Sequence, residues 1–506
     1  MTFTSPARIA AALAGLAAVG TYLAIALSRL DYPFTLEWLE SNSLVEVHRI
    51  LAGQQLYPAP TAGYVPDGYP PLYFAVSAAA ARVLGVSYLP LRLVSLLSSL
   101  ACFALLGRLV QRETDSITAG ASAVGVFAAT YFATDTWFDV ARVDSLFLAL
   151  SIGGLYAARW MRRTRGAIVT GVLLAAAALT KQTGVVEGVV VIVALLPGTR
   201  RRLACVAALA EAIVLGVSTL VLGLSSGGWY VYYVFQLMSE HSLTYSSIGR
   251  FWTAQLSTAG LAACAALVGL RRVPSAQLAG CAALVIEGYA ALVHSGGGIN
   301  DLLPAYLAVA LLAGLALGGK PLGGKPHGWA SAVAGVLVLA QTALLLSGFH
   351  PAQAIPASAD RAVGDRLTEG LRAFGGTVAI PADPGLSLMA GMAPVAHQDA
   401  AFDVLRGSDR TAITSFTASV ADALAARRFS AIISDGPWPP LGYPHSLSRY
   451  YRLCPQPLLA GVPAGLFRPV AGISARPAAV WLPRGGESCQ TAVSTLYGTY
   501  RDRTDP

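Results

Sequence analysis

Charged side chains recur at the ends of long apolar segments, where they could perform acid–base chemistry beside a membrane. The first group follows the first apolar segment and contains Glu37, Trp38 and Glu40. A carboxylate held there could take a proton from a substrate hydroxyl as a general base. Considered alone, however, the two acids are better explained as solvated loop residues, with Trp38 as an anchor in the membrane interface.

A second group joins an arginine to an acid at the start of another apolar segment. One residue separates Arg142 from Asp144, and both adjoin the apolar run that follows. Charge at this depth indicates function, because it is costly to place in lipid. The Arg142 guanidinium can form paired, charge-assisted hydrogen bonds with a phosphate. A simple polar loop would also accommodate these residues.

Lys181 is a third candidate, because it stands between two apolar segments with no other basic residue nearby. An isolated lysine can bind a phosphate as a point charge, or it can simply extend its amine to the membrane surface. Weaker candidates occupy aromatic and glycine-rich stretches that interface residues and plain loops also explain. The candidates for the substrate pocket are Trp38, Tyr69, Tyr73, Gln182, His294 and Asn300.

Membrane helices must position these residues, because 55% of the 506 residues are apolar and only 12% are charged. The apolar segments predict a polytopic α-helical membrane protein with about 11 spans. Of two shorter segments, 41–52 predicts a helix that lies along the interface, and 71–86 predicts an interfacial or re-entrant helix. The predicted spans lie near residues 8–28, 90–108, 116–134, 144–160, 167–180, 184–197, 203–225, 256–270, 276–293, 302–318 and 329–348.

The basic residues predict the orientation, because cytoplasmic loops retain Lys and Arg. Their clusters fall in every second loop, which predicts a cytoplasmic N-terminus and an external loop 31–69. The first apolar run is long for a signal peptide and is followed by no convincing cleavage site, which predicts an uncleaved signal-anchor. The net charge of +8 is largely this topology signal and does not indicate nucleic-acid binding. The clusters contain Arg108, Arg112, Arg159, Arg162, Arg163, Arg165, Arg200, Arg201, Arg202, Arg271, Arg272, Lys320 and Lys325.

The composition changes after residue 350, where strand-like runs alternate with helical ones. The runs 376–381 and 429–435 predict strands, and the sequence therefore predicts two domains. Residues 1–349 form the membrane domain, and residues 350–506 form a small extracytoplasmic α/β domain. Cys454 and Cys489 could pair in an oxidising exterior, although their spacing leaves free thiols equally open.

Taken in order, these motifs resemble the GT-C superfamily of polytopic glycosyltransferases, which includes protein O-mannosyltransferases and aminoarabinose transferases. The shared order is an acid in the first outer loop, a glycine near a helix end, a Pro-Pro-Leu motif, a second acid and a loop lysine. This chain departs from the pattern with glutamate in place of the usual first aspartate, and with Tyr69 where a basic residue often precedes the prolines. The corresponding residues are Glu37 or Glu40, Gly53, Pro70 to Leu72, Asp144 and Lys181.

The resemblance implies a GT-C-like fold and transfer of a sugar from a polyprenyl-phosphate donor to a glycan, lipid or protein hydroxyl. It implies Glu37, or else Glu40, as the general base of an inverting reaction, with Asp144 orienting the acceptor. Arg142 and Lys181 would bind the donor phosphate. The location implied is the plasma (inner) membrane of a bacterium. Some members use a divalent cation, which no ligand pattern in this chain demands.

Two other classes of membrane protein remain to be weighed. A secondary transporter or lipid flippase would also carry charges within its helices, but such folds usually show internal repeats and midplane sites. This sequence shows no convincing repeat, and its charges cluster toward one face. A non-catalytic scaffold would leave the charged motifs unexplained. The sequence contains no P-loop, metal-ligand spacing, GxGxxG before a helix or GxSxG, which excludes ATP-driven transport within the chain and most soluble enzyme classes.

Overall fold

Helices make up most of the chain. The computed structural model describes residues 6–197, 199–270, 273–318, 328–444 and 446–498. The helices of the first part are α1 Pro6–Arg29, α2 Glu40–Leu51, α3 Leu72–Leu84, α4 Tyr88–Thr114, α5 Ile117–Ala129, α6 Asp144–Trp160, α7 Thr164–Ala178, α8 Gly184–Leu195, α9 Arg201–Ser225, α10 Trp229–Val231, α11 Leu237–Glu240, α12 Tyr245–Arg250, α13 Gly260–Gly269, α14 Ser275–Val293, α15 Leu303–Ala316 and α16 Gly328–Ser347. Short π or 3-10 turns occupy Phe132–Thr134, Tyr232–Gln236, Phe251–Gln255, Leu256–Ala259 and Ile299–Leu302.

Within the described residues, seven helical stretches are long and apolar enough to cross a membrane. The predicted polytopic helical architecture is therefore confirmed, whereas the count of about 11 spans and the orientation stay predictions. Arg271, Arg272, Lys320 and Lys325 lie outside the described residues. The seven stretches are α1, α4, α9, Tyr245–Val268, α14, Ile299–Ala316 and Ala330–Ser347, and the shorter apolar helices are α3, α5, α7 and α8.

Two short helices, α2 and α3, connect the first span to the second. They contain 12 and 13 residues, fewer than the roughly 20 that cross a bilayer. Gly53 follows α2 with a φ of 68°, a left-handed conformation that favours glycine. Pro71 precedes α3, and the backbone N–H of Leu72 donates to the carbonyl of Leu179 at 3.0 Å. This bond places the Pro-Pro-Leu motif beside the loop that carries Lys181.

Close backbone contact holds α1 against α5. A β-carbon added at Gly125 would lie 2.2 Å from the Cα of Gly15, so neither position has room for a side chain. Small residues commonly allow such approaches between membrane helices, where van der Waals packing replaces the hydrophobic effect. Arg29, at the end of α1, then forms an ion pair with Asp139 at 2.7 Å and fixes the loop before α6.

A small four-stranded sheet distinguishes the C-terminal part. The strands are β1 Val378–Ala379, β2 Ala431–Ser434, β3 Tyr451–Leu453 and β4 Ala479–Pro483, in the order β1-β2-β4-β3. β1 and β2 are parallel, and the other two pairs are antiparallel, with Ile432 opposite Trp481. The predicted α/β character is confirmed. The helices are α17 Pro351–Ala354, α18 Ser358–Phe374, α19 Pro384–Met389, α20 Gln398–Arg406, α21 Arg410–Ala425, α22 Leu447–Tyr450 and α23 Cys489–Leu496.

The C-terminal part packs directly on the first loop of the membrane part. The backbone N–H of Ala471 donates to Leu36 at 2.9 Å, and that of Ala396 donates to Ala62 at 3.0 Å. Cys454 and Cys489 form a disulfide, which resolves the alternative that the sequence left open. The division at residues 349 and 350 stays a prediction.

Candidate active site

A cavity of about 680 Å³ lies between the loops at one end of the membrane helices and the C-terminal part. Its wall contains the first loop, the loop before α6, the loop between α7 and α8, the glycine-rich loop after α14, and α20. The distant sequence motifs therefore meet in one place. The charged residues on this wall are Asp67, Asp135, Arg142, Lys181, Asp301, Asp399, Asp403 and Arg406.

Arg142 is a buried cation that two first-loop acids hold in place. Its Nη1 donates to Asp67 Oδ2 at 3.0 Å, and its Nε lies 3.9 Å from Glu37 Oε2. The guanidinium also lies over the Tyr69 ring, 5.3 Å from its centroid. The Nε makes no hydrogen bond to any described residue. That nitrogen is buried and faces Glu37, so the cation is held by Asp67 and Glu37 while Arg142 itself lines the cavity.

Lys181 forms a buried cluster with two acids from different parts of the chain. Its Nζ donates to Asp144 Oδ1 at 3.0 Å and to Asp301 Oδ1 at 2.9 Å. Asp144 stands at the first position of α6 and also accepts from Trp137 Nε1 at 2.8 Å. Asn300 Nδ2 donates to Asp144 at 3.3 Å. Asp144 thus organises Lys181 and Asn300 around one carboxylate.

Glu40 is fully buried and fully engaged. Its carboxylate accepts from Arg92 Nη2 at 2.7 Å, from the backbone of Ala141 at 2.6 Å and from that of Leu36 at 2.7 Å. Burial raises the pKa of Glu40, but Arg92 and the backbone donors outweigh burial, and the net pKa lies below the usual value. Glu40 does not line the cavity. This geometry favours a structural role over the predicted alternative as a base.

Glu37 is also fully buried, but it is less well satisfied than Glu40. Its Oε2 accepts from the backbone of Leu39 at 3.1 Å, whereas Oε1 accepts no hydrogen bond from any described residue. Burial raises the pKa of Glu37 to about 8, and the nearby Arg142 offsets this only in part. The segment at Gly472 covers Glu37, so its side chain stays behind the cavity wall.

Most of the predicted pocket residues line the cavity. Trp38, Tyr69, Gln182, His294 and Asn300 all contribute to its wall. The structure places Tyr73 outside the cavity wall, because α3 directs its side chain toward α4: its hydroxyl donates to the carbonyl of Leu91 at 3.0 Å, and its ring packs in a buried cluster.

Six charged residues on the wall were not predicted as site residues, and one of them, Asp135, accepts a hydrogen bond from the backbone N–H of Gly472. Asp67 lies two residues before Tyr69, and its proximity to the Pro-Pro-Leu motif was the signal available in the sequence. Asp301 neighbours the predicted Asn300. The other three, Asp399, Asp403 and Arg406, stand on one face of α20 at helical spacing, which alone does not indicate a site.

Helix α20 forms part of the cavity wall and contributes two acids to it. Burial raises the pKa of Asp399 to about 6 and that of Asp403 to about 7. Arg406 forms an ion pair with Asp403 and donates to Ser295 Oγ at 3.0 Å. His241 Nε2 lies 3.0 Å from the carbonyl oxygen of Asp403. The C-terminal part is therefore bound to the glycine-rich loop of the membrane part at the cavity itself.

The donor set does not fit a resident metal ion. Among the described residues, no group of three or more His, Cys, Asp or Glu side chains is arranged to hold one. Four of the cavity acids have other partners: Asp67, Asp301 and Asp403 contact Arg142, Lys181 and Arg406, and Asp135 contacts a backbone N–H group. We therefore derive no step through a metal.

Comparisons with known proteins agree with this architecture. Residues 68–225, less than half of the chain, match the family described as dolichyl-phosphate-mannose-protein mannosyltransferase. ArnT from Cupriavidus metallidurans bound to undecaprenyl phosphate has a TM-score of 0.58 at 14% identity, over 96% of this chain and 99% of that chain. In its apo state, ArnT has a TM-score of 0.53 at 11% identity, over 75% of this chain and 85% of that chain.

A second protein extends the likeness. The Archaeoglobus fulgidus oligosaccharyltransferase in complex with Zn and sulfate has a TM-score of 0.50 at 14% identity, over 84% of this chain and 68% of that chain. The comparison with curated protein sequences gives no match. The chain therefore shares the fold of these proteins, which is the GT-C-like fold that the order of its motifs predicted.

Proposed function

We propose that the chain is a membrane glycosyltransferase that moves a sugar from a polyprenyl-phosphate donor to the hydroxyl of a glycan, lipid or protein acceptor. The observation that carries the proposal is the pair of buried cations, Arg142 and Lys181, beside the Asp67 carboxylate on one cavity wall. The fold supports the donor class, because the similar ArnT structure is described as bound to undecaprenyl phosphate.

Arg142 and Lys181 bind the donor phosphate in this proposal. Arg142 lines the cavity and carries five N–H donors, of which Nη1 contacts Asp67, and the Lys181 ammonium uses two of its three donors on Asp144 and Asp301. Each cation can therefore add a hydrogen bond to a phosphate oxygen without losing its present partners. Their acids keep both cations charged and oriented before the lipid arrives. Such preorganised donors stabilise the charge that develops on a leaving phosphate.

The reaction proceeds by in-line displacement at the anomeric carbon. A carboxylate takes the proton from the acceptor hydroxyl, whose oxygen forms a bond to the anomeric carbon from the face opposite the phosphate. The bond between that carbon and the phosphate oxygen breaks, and its electron pair leaves with the polyprenyl phosphate. The configuration at the anomeric carbon is inverted. General-base assistance of this kind contributes about 10²- to 10⁴-fold in rate.

We place the base at Asp67 and keep Glu37 as the alternative. Asp67 faces the cavity, and its Oδ1 and Oδ2 accept from Asn42 Nδ2 at 2.7 Å and Arg142 Nη1 at 3.0 Å. Each oxygen retains a lone pair for an acceptor hydroxyl. Glu37 would reach the substrate only after Gly472 moved. Without that movement, Glu37 orients Arg142 from the side opposite the cavity. Asp144 holds Lys181 and Asn300, which agrees with an orienting role.

The proposal also includes the location and the orientation of the chain in the membrane. The alternation of basic loops supports a cavity on the extracytoplasmic side of a bacterial plasma membrane, with the N-terminus in the cytoplasm. The acceptor would then approach between the membrane part and α20. Residues 1–349 would bind the donor, and residues 350–506 would cover the acceptor side.

Transfer by the purified full chain tests the function. A panel of radiolabelled undecaprenyl-phosphate sugars would be incubated with cell-envelope acceptors, comparing wild type with Asp67→Asn, Glu37→Gln, Glu40→Gln and Asp144→Asn. We expect Asp67→Asn to lose transfer while keeping the affinity for undecaprenyl phosphate. Wild-type affinity for undecaprenyl phosphate in both Arg142→Gln and Lys181→Gln would overturn the donor site. Full activity in both Asp67→Asn and Glu37→Gln would overturn a first-loop base.

A further inference from the structure

A second concave site, separate from the cavity, lies between the end of α2 and the C-terminal part. This groove has a volume of about 700 Å³. Its basic side chains are His48, Arg49 and Arg428, and none of its described lining residues is an acid. Most of the remaining wall is apolar or aromatic and includes Tyr64, Leu388 and Met392, together with the polar Gln54 and Thr61.

Arg49 is fixed in place and still has a free donor. Its Nε and Nη2 donate to the carbonyl of Gln55 at 3.2 and 2.8 Å, and its guanidinium lies 3.9 Å from the centroid of the Tyr64 ring. Its Nη1 donates to no described residue. Glu46, the nearest acid on α2, is fully buried and accepts from the backbone of Asp67 at 2.8 Å, on the cavity side. Arg49 therefore presents positive charge to the groove without a carboxylate partner.

The groove lies at the level of one end of a lipid-facing helix. Gln55, next to the lining residue Gln54, donates from Nε2 to the carbonyl of Ser225 at 2.8 Å. Ser225 is the last residue of α9, a candidate span whose exposed apolar residues include Leu220 and Leu224. The end of such a helix marks the interface where lipid headgroups lie.

We propose that this groove binds the anionic phosphate headgroup of a membrane lipid, in the leaflet on the side of the cavity. Arg49 and Arg428 contact the phosphate, because two uncompensated guanidinium groups at headgroup depth attract an anion. Leu388 and Met392 cover the first apolar atoms of the lipid. The site is independent of sugar transfer and needs no substrate in the cavity.

Binding of short-chain lipids to the purified full chain in detergent tests this site. The probes are dihexanoyl phosphatidylglycerol, dihexanoyl phosphatidylcholine and inorganic phosphate, each titrated against wild type, Arg428→Gln, the double variant Arg49→Gln/Arg428→Gln, and Arg449→Gln. Arg449 is an exposed arginine that lines neither site and is the matched control. Thermal unfolding of each variant reports whether it is folded.

We expect phosphatidylglycerol to bind the wild type more tightly than either other probe. Each arginine-to-glutamine substitution should weaken phosphatidylglycerol binding about fivefold, and the double variant should weaken it about 25-fold. These factors correspond to the attraction that one and two basic residues exert at a membrane surface. Arg449→Gln should bind like the wild type. Equal affinity of wild type and the double variant would overturn the site, as would equal affinity for the two lipids. Inorganic phosphate binding as tightly as phosphatidylglycerol would overturn the lipid as the source. If the double variant does not fold, the affinity of Arg428→Gln for phosphatidylglycerol alone tests the site. Arg428 is exposed, so this substitution should leave the fold intact.

Discussion

The short helix α2 lines the groove and also contacts Asp67 of the cavity wall. The two sites differ in whether their basic side chains are paired with acids. In the cavity, Arg142 and Lys181 are buried and contact two acids each. In the groove, Arg49 and Arg428 are partly or fully exposed, and no described acid lines the wall. A buried cation must be paired because desolvation is costly, whereas a cation in contact with water need not be.

The pairing determines whether a cation is held in a fixed position or only attracts an anion. Paired cations stay fixed at one position, which suits a phosphate that must leave along a defined line. Unpaired cations attract an anion without fixing its direction, which suits a lipid headgroup. Basic side chains can therefore serve different purposes according to their burial and their acidic neighbours.

The largest expected effect concerns the cavity base. Asp67→Asn should lower the transfer rate by about 10²- to 10⁴-fold, because an amide cannot accept the acceptor proton. Single-turnover transfer of a radiolabelled sugar measures this loss. Asp31→Asn, an exposed acid of the same loop, is the control and should transfer at the wild-type rate. A normal rate for Asp67→Asn with a severe loss for Glu37→Gln would move the base to Glu37.

The second effect concerns stability beneath the cavity. Glu40→Gln should lower the free energy of unfolding by about 3–5 kcal/mol, because it leaves the buried Arg92 charge without its partner. Denaturant titration in detergent, followed by tryptophan fluorescence, measures the change. Glu369→Gln, an exposed acid on α18, should unfold like the wild type. A wild-type midpoint for Glu40→Gln would show that this carboxylate is not structural.

The third effect is a pH dependence of stability that arises from Glu37, behind the cavity wall. The folded-state pKa of Glu37 is raised to about 8, so the folded chain keeps a proton that the unfolded chain loses near pH 4.5. The unfolded state then binds fewer protons, and stability falls as pH rises between these values. Glu37→Gln should flatten this fall relative to wild type, as measured by unfolding midpoints from pH 5 to pH 8. Parallel curves for the two proteins would contradict the raised pKa.

The smallest effect is the response to salt. Raising sodium chloride from 0.05 to 0.5 M should weaken phosphatidylglycerol binding a few-fold, because exposed charges are screened. Undecaprenyl phosphate binding at the buried cations should weaken less. Titrations at both salt concentrations make the comparison directly. A stronger salt response for undecaprenyl phosphate would reverse the contrast between the two sites.

Much of the site was visible in the sequence because membrane segments are easily recognised. The apolar runs placed Glu37, Arg142 and Lys181 at span ends. The structure brings Arg142 and Lys181 to one cavity, with Glu37 against Arg142 behind the cavity wall. The sequence could not separate Glu37 from Glu40. The difference depends on Arg92, which lies 52 residues beyond Glu40 and pairs with it only through folding.

The contribution of the C-terminal part to the cavity could not be predicted from the sequence, again because it depends on contacts between distant residues. Asp399, Asp403 and Arg406 look like the polar face of an ordinary soluble helix. Their role at the cavity follows from the packing of α20 against the glycine-rich loop, which joins residues more than 100 positions apart. Local spacing carries no information about such contacts.

By itself, the amino-acid sequence determined that this is a polytopic membrane protein with charged motifs in the order of the GT-C superfamily, because lipid requires long apolar helices and tolerates charge only at their ends. The tertiary structure decided which carboxylate faces the cavity, which acids pair with Arg142 and Lys181, and which arginines stay unpaired. These outcomes depend on burial and on partners distant in the chain, and both exist only in the folded protein.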